Sequence, residues 1–188
     1  DPAELAKASQ MRPGDPRIGL LTEVSGLKKL ERFYDEIRHL KDLEFAKAVF
    51  TNLDLEIDVQ DRDLANVPTE SGVVFVANHP YGAIDGLAMV QVLGQVRPDL
   101  KVMANFLLRQ LEPLEDRFIG VNPFEEVTTL SSFQGMRQAL AHVKEGGALG
   151  VFPAGEVSSW RTDLKAVADQ RWKQPVIKLV QRTDVPVV

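Results

Sequence analysis

The chain has 188 residues, enough for one domain with a substantial core, and its 44% apolar and 26% charged residues are ordinary for a globular protein. Its net charge of −5 argues against a basic nucleic-acid-binding face, so we expect no nucleic-acid partner. Because the chain has no cysteine, disulfides, thiolate nucleophiles and cysteine-ligated metals are excluded.

The first part of the chain predicts an irregular segment followed by helices. Residues 1–24 contain three prolines, so we expect an irregular lead-in. Residues 27–50 carry apolar side chains at spacings of three and four, which predicts amphipathic helices. Their apolar face either packs on the sheet or lies on a membrane surface, and both possibilities stay open. Residues 53–59, LDLEIDV, alternate apolar and acidic side chains, which predicts a half-exposed strand.

From residue 73 onward the predicted strands and helices alternate. The strands lie at 73–77, 100–105, 117–122, 147–154 and 185–188, and the helices at 84–96, 106–114, 131–146 and 174–183. This order predicts an α/β fold in which a mostly parallel mixed sheet is covered by helices, preceded by an N-terminal helical segment. No linker divides residues 25–188, which we expect to form one domain truncated at its C-terminal end.

The segment VVFVANHPYGAIDG places an ionisable side chain where a buried strand ends. Pro80 keeps His79 extended, Gly82 permits a turn, and Asp85 falls in the first turn of the next helix. His79 and Asp85 meet only if this segment bends back. A carboxylate on one ring nitrogen would then leave the other free to act as a general base. The alternative is a purely structural hydrogen bond.

Three other polar or turn-forming segments also follow predicted strands. Ligands of parallel α/β sheets bind beyond the carboxyl ends of the strands, so we expect Asn105, Asn122 and Pro153 to share one edge with His79. In FPAGEVS (152–158), Gly155 would let backbone N–H groups approach an oxyanion or a phosphate. A plain surface turn is the alternative for FPAGEVS, and an Asn-Pro turn is the alternative for Asn122.

Together these segments resemble the glycerolipid acyltransferase superfamily, which has the lysophosphatidate-acyltransferase-like fold. The first motif of that family is Asn-His, four residues, then Asp, whereas NHPYGAID has five residues between His and Asp. Its third motif is Phe-Pro-Glu-Gly-Thr-Arg-Ser, and FPAGEVS keeps all but three of its residues, with Ala154 and Val157 at the Glu and Arg positions. These departures, with KVMAN at 101–105 and VNPF at 121–124, are similar to the hemolysin-like branch, which includes enzymes that complete bacterial ornithine and glycine lipids.

The resemblance implies an O-acyltransferase that moves a fatty acyl group from a thioester to a lyso-lipid hydroxyl. His79 would be the general base, oriented by Asp85, with no acyl-enzyme intermediate and with neither metal nor cofactor. An acyl-carrier-protein or coenzyme A thioester would be the co-substrate, at the cytoplasmic face of the cell membrane, where the protein would be peripheral. The implied substrate-binding residues are Asn78, Gly82, Asn105, Arg109, Asn122, Phe152, Pro153, Gly155, Glu156 and Ser158.

The substituted third motif bears on the acceptor. Val157 cannot pair with a phosphate, so we expect a lyso-aminolipid acceptor whose cationic headgroup meets Glu156. Lysophosphatidate acyltransferase proper is one alternative, and a non-catalytic lipid- or acyl-carrier-binding domain is another. A hydrolase in which His79 activates water is a third, weakened by the absence of a G-x-S-x-G elbow and of H-E-x-x-H. Trp160 and Trp172 flank a predicted surface loop, and we expect core packing rather than lipid contact for both.

Overall fold

The computed structural model describes residues 26–105, 108, 111–121 and 130–188, so the predicted lead-in at 1–24 lies outside the described residues. Contacts divide the chain into two compact units, residues 1–40 and residues 41–188. In the first unit, helix α1 (Leu27–Ile37) begins after Gly26, whose φ of 72° is left-handed. The predicted helical stretch 27–50 forms two helices, because residues 38–41 are not helical and α2 (Asp42–Asn52) begins after them, in the second unit.

The second unit contains the sheet. After α2, its elements are α3 (Asp61–Leu64), β1 (Val73–Val76), α4 (Ala83–Val96), β2 (Lys101–Asn105), a 3₁₀ helix (Glu112–Arg117), β3 (Phe118–Val121), α5 (Leu130–Lys144), β4 (Ala148–Val151), β5 (Ser159–Arg161), β6 (Ala166–Ala168) and α6 (Gln174–Thr183). No helix of the described residues has both the length and the apolar character needed to cross a membrane.

The four main strands form a parallel sheet in the order β1-β4-β2-β3, which confirms the predicted α/β class. The predicted last strand begins to extend this sheet. Val187 forms a parallel bridge with Val74, and the N–H of Val76 donates to the carbonyl of Val188 at 2.8 Å. Because all four main strands run the same way, their carboxyl ends lie at a single edge of the sheet.

Helices cover both faces of this sheet. On one face, Leu149 and Val151 of β4 pack in a buried cluster with Val143 of α5 and Leu179 of α6. On the other face, the intervening residue of β4 is Gly150, where an added Cβ would collide with Sδ of Met89 in α4. Alternate residues of a strand point to opposite faces, so β4 is covered by α4 on the side away from α5.

Two buried arginines hold the amino-terminal edge of the sheet. Arg97 is 3% exposed and donates to both carboxylate oxygens of Asp99, at 2.8 and 2.7 Å, and to three backbone carbonyls. Asp99 also accepts from the N–H of Ala148, the first residue of β4, at 3.1 Å. Arg117 makes the same paired contact with Asp42, at 2.6 and 2.5 Å, and thereby ties α2 to the start of β3.

Four local predictions were wrong or incomplete. Residues 53–59 are not a strand, since no strand pairs with them, and Leu53 and Leu55 are exposed rather than half-buried. The helix predicted at 106–114 lies partly outside the described residues, and the described part is the 3₁₀ helix that begins at Glu112. The predicted loop after FPAGEVS contains the antiparallel hairpin β5–β6. Core packing of its two tryptophans was also wrong, because both are more than half exposed.

Acid should weaken the Arg97–Asp99 contact. The hydrogen bonds from Arg97 hold the pKa of the Asp99 carboxyl below its ordinary value, against the opposing effect of its partial burial. The contact therefore stabilises the fold above the ordinary pKa of an aspartate and is lost as the pH falls through the lowered one. We expect Asp99→Asn to reduce the free energy of unfolding by about 1–3 kcal/mol at neutral pH, because a buried guanidinium loses its charged acceptor.

Urea unfolding at neutral and at strongly acidic pH measures this difference. The difference in unfolding free energy between wild type and Asp99→Asn should shrink in acid, because the protonated wild-type carboxyl is then uncharged, like the Asn side chain. Asp116→Asn, which changes an exposed aspartate of the 3₁₀ helix, is the control and should be nearly silent at both pH values. An equal deficit of Asp99→Asn at both pH values would contradict the role of the charge.

Candidate active site

His79 and Asp85 are brought together by the turn between β1 and α4. Gly82 has φ 67° and ψ −123°, a conformation that favours glycine, and α4 begins directly after it. Asp85 lies in the first turn of α4, and its Oδ2 is 3.0 Å from Nδ1 of His79. The same oxygen accepts a hydrogen bond of 2.8 Å from the N–H of Tyr81, which holds the carboxylate in place. The predicted back-bend therefore exists.

The two ring nitrogens of His79 differ in their surroundings. Nδ1 is buried, and Asp85 is its close polar neighbour, although the contact lacks the alignment of a regular hydrogen bond. Such contacts are often loosely aligned without substrate and tighten in the reactive complex. In the part of the chain that the structure describes, Nε2 has no hydrogen-bond partner. The arrangement leaves Nε2 free to exchange a proton with a ligand.

The FPAGEVS segment meets His79 directly. Phe152 follows β4, the neighbour of β1, and its ring stacks on the imidazole with a centroid separation of 4.2 Å and an interplanar angle of 22°. Farther along the segment, the N–H of Ser158 donates to the carbonyl of His79 at 2.8 Å. The two predicted motifs are thus parts of one site at the carboxyl edge of the sheet.

Asp169 also belongs to this site, although no sequence pattern predicts it. It follows β6, and its Oδ1 accepts from the N–H of His79 at 3.2 Å and from the hydroxyl of Ser158. Its Oδ2 is buried without a hydrogen-bond partner among the described residues. Both main-chain polar groups of His79 are therefore held by the hairpin region. Asp169 is 90 residues away in sequence and is flanked by neither Gly nor Pro, so no local signal distinguishes it.

The remaining predicted site residues differ in their exposure and in whether the structure describes them. Asn78 is exposed beside His79, and Asn105 is the last, half-buried residue of β2. Pro153 is buried, and Gly155 has a φ of 70°, but the N–H of Gly155 is used by the carbonyl of Phe152 at 2.9 Å. Arg109 and Asn122 lie outside the described residues.

The charge of Glu156 is offset by a residue that the motif does not contain. Oε1 of Glu156 is 3.1 Å from Nζ of Lys173, and both side chains are about half exposed. The backbone N–H of Lys173 donates to the carbonyl of Pro153 at 2.9 Å, so the lysine is fixed beside the FPAGEVS turn. Val157, at the position of the family's arginine, is exposed next to the turn that joins His79 to Asp85: a Cβ on Gly82 would lie 3.4 Å from its Cγ2.

Among the described residues, no three His, Asp or Glu side chains are grouped in a way that would hold a metal ion.

Comparison with known proteins agrees with the motifs. A family described as acyltransferase matches residues 28–188. The chain is 30% identical over 174 residues to a lyso-glycine lipid O-acyltransferase of Bacteroides thetaiotaomicron, covering 90% of this chain and 61% of that protein. It is 25% identical over 161 residues to a protein of the same name from Phocaeicola vulgatus, covering 85% and 55% respectively. The chain therefore spans 55–61% of the length of these relatives. Since the family match covers nearly the whole chain and includes both motifs at the site, the resemblance is confirmed, and the chain belongs to the acyltransferase family.

Proposed function

We propose that this chain is an acyltransferase domain that moves a fatty acyl group from a thioester to the hydroxyl of a lyso-lipid. The observation that carries the proposal is the His79–Asp85 pair, with 3.0 Å between Nδ1 and Oδ2 and Nε2 left open at the sheet edge. Its support is membership of the acyltransferase family and similarity to proteins named lyso-glycine lipid O-acyltransferases.

His79 acts as the general base in this mechanism. Nε2 accepts the proton of the acceptor hydroxyl as the hydroxyl oxygen attacks the thioester carbonyl carbon, which forms the new C–O bond. The tetrahedral intermediate collapses with cleavage of the C–S bond, and the imidazolium returns its proton to the departing thiolate. Asp85 stabilises the imidazolium through Nδ1, as the acid of a catalytic triad does, while the N–H of Tyr81 keeps Oδ2 in position. No acyl-enzyme intermediate is needed.

The FPAGEVS turn is the candidate oxyanion-binding element. The N–H of Gly155 and the N–H of Ser158 already donate within the protein, so neither is available. The intervening amides of Glu156 and Val157 make no hydrogen bond in the described residues, and we assign the stabilisation of the developing oxyanion to them. Phe152 keeps the imidazole ring in place by stacking.

The acceptor of this proposal is a lyso-aminolipid. Position 157 offers an exposed valine where the family pattern has an arginine, so the phosphate-binding charge is missing from the motif. Glu156 and Lys173 instead present one charge of each sign beside the turn, which suits a headgroup that carries an amine, a carboxylate or both. Acyl carrier protein or coenzyme A carries the acyl group, and the domain acts as a peripheral protein at the cytoplasmic face of the membrane.

Replacement of the base should abolish transfer. We expect His79→Ala to lower kcat/KM for acyl transfer about 10²- to 10⁴-fold, because proton removal in the transition state is lost. The assay measures thiol release and esterified product from an acyl thioester and lyso-glycine lipid. His39→Ala, which removes an exposed histidine, is the matched control and should retain activity.

A lyso-lipid binding measurement alongside the transfer assay separates an enzyme from a binding domain. His79→Ala should bind lyso-lipid almost as wild type does, since the ring contributes mainly to the transition state. A wild-type protein that binds the lipid but transfers no acyl group would refute the enzymatic proposal in favour of a non-catalytic domain. Water as the acceptor, with free fatty acid as the product, would indicate a hydrolase.

Asp169 should behave as a positioning residue. Asp169→Ala removes the acceptor for the His79 N–H and the Ser158 hydroxyl, so the imidazole loses its fixed position. We expect kcat to fall at least about tenfold with KM changed much less, since misplacement of a catalytic group reduces rate more than binding. Asp169→Asn retains an acceptor oxygen and should recover most of the loss. Asp163→Ala is the control, because that exposed aspartate of the hairpin pairs with Arg161. A rise in KM as large as the fall in kcat would contradict a positioning role.

Headgroup choice tests the acceptor class. Wild type should use lyso-glycine or lyso-ornithine lipid at least about tenfold better than lysophosphatidate, since charge recognition at a half-exposed site is worth about one kcal/mol per contact. Glu156→Gln should lower activity about threefold with the amine-bearing lyso-ornithine lipid and leave lyso-glycine lipid little affected. Equal use of lysophosphatidate would identify a lysophosphatidate acyltransferase proper.

A further inference from the structure

The β5–β6 hairpin has an apolar face that no described part of the protein covers. Trp160 and Val167 are direct cross-strand partners, so their side chains lie on the same face. They are 63% and 64% exposed, respectively. Leu164, in the connecting turn, and Trp172, after β6, are also more than half exposed. We call Trp160, Leu164, Val167 and Trp172 the hairpin patch. Large exposed apolar groups concentrated in one segment normally mark an interaction surface.

The charge around the hairpin patch is opposite to that of the whole chain. Residues 157–173 contain four basic and two acidic residues, although the chain carries a net charge of −5. One acid, Asp163, is paired with Arg161, and the other, Asp169, is turned toward His79. Lys165, in the turn, and Arg171 have no ion-pair partner within the described residues. The segment therefore combines indoles with available cations.

The hairpin patch is continuous with the proposed active site. Asp169 directly follows β6 and accepts the backbone N–H of His79. At the other end of the hairpin, Val157 lies against Gly82 in the His79–Asp85 turn. Tyr81, in the same turn, is 75% exposed. An element that binds the hairpin patch would therefore sit directly beside the imidazole.

We propose that the hairpin patch docks this protein onto an anionic lipid surface, an inference that rests on the proposed function because a lipid is its acceptor. Indole rings favour the water–lipid boundary, where the apolar ring is buried and the N–H remains hydrated. Lys165 and Arg171 add attraction to anionic headgroups. Insertion of the hairpin places Nε2 of His79 near the boundary, where a lyso-lipid hydroxyl reaches it without leaving the membrane.

A second copy of the chain fits the hairpin patch less well than a lipid surface does. Two half-exposed indoles, a valine and a leucine offer roughly 400 Å², whereas a stable dimer needs about 800 Å² per partner. Unpaired lysine and arginine at a two-fold contact would also repel their own copies. A bilayer surface has no such requirement, because shallow insertion of a few side chains together with basic residues is sufficient.

Vesicle flotation tests the proposal with the full chain. The probe is large unilamellar vesicles of phosphatidylcholine containing a minority of phosphatidylglycerol. The variant Trp160→Ser/Val167→Ser removes the cross-strand pair, and the control Leu53→Ser/Leu55→Ser removes two exposed leucines outside the patch. We expect the patch variant to lose at least about tenfold in vesicle affinity and the control to match wild type. Lys165→Gln/Arg171→Gln should weaken binding to anionic vesicles and leave pure phosphatidylcholine unaffected.

A second measurement separates this proposal from the proposed function. Acyl transfer to detergent-dispersed lyso-lipid should be unchanged in the patch variant, while transfer to lyso-lipid in vesicles should fall with binding. If wild type floats but transfers no acyl group, the proposed function fails and the docking surface stands. The docking proposal is overturned if the patch variant floats like wild type, or if wild type does not bind vesicles. It is also overturned if wild type sediments as a dimer and the patch variant sediments as a monomer, because the patch would then be a contact between two copies of the chain.

Discussion

In the proposed function, the chemistry depends on the fixation of one backbone position, His79. Its N–H is bound by Asp169 and its carbonyl by the amide of Ser158, both from the hairpin side of the sheet. Its ring is stacked on Phe152 and lies 3.0 Å from Asp85. A histidine at a strand end would otherwise sample several rotamers. The segments after β4 and β6 hold its backbone, and Phe152 and Asp85 contact its ring, so together they keep Nε2 in place.

The two edges of the sheet satisfy their polar groups differently. At the amino-terminal edge, Arg97 and Arg117 each donate to both oxygens of a carboxylate and to at least two backbone carbonyls. At the carboxyl edge, Nδ1 of His79 and Oδ2 of Asp169 are buried without a regular hydrogen bond; Gln91 Oε1 is the third such atom among the described residues. Unsatisfied buried polar groups are costly and uncommon in structural regions. Two of them lie at one imidazole, which distinguishes the carboxyl edge as the candidate site, while the opposite edge secures the strands.

The elements that depend on local sequence pattern were predictable from the sequence. The elements that depend on strand pairing between distant segments were not. Buried parallel strands are continuous apolar runs, and their ends are marked by Asn, Pro and Gly, so β1, β4 and the meeting of His79 with Asp85 were predictable. Residues 53–59 have strand-like alternation but no partner strand, and alternation alone does not supply one. The strands of β5–β6 are three residues long, too short for a periodicity signal. Asp169 was missed for the same reason, since only the pairing of that hairpin carries it to His79.

The valine at position 157 links the headgroup question to the surface around the site. An arginine there would place a fixed cation beside Gly82 and direct recognition to a phosphate. Valine places an exposed apolar side chain beside this turn, and in the proposed function charge recognition falls to Glu156 and Lys173, which already neutralise each other. A headgroup of low net charge exchanges with such a pair at little electrostatic cost, whereas a phosphate dianion would be repelled by Glu156. In the proposed function, the substitution therefore favours a weakly charged lipid acceptor presented by a membrane surface.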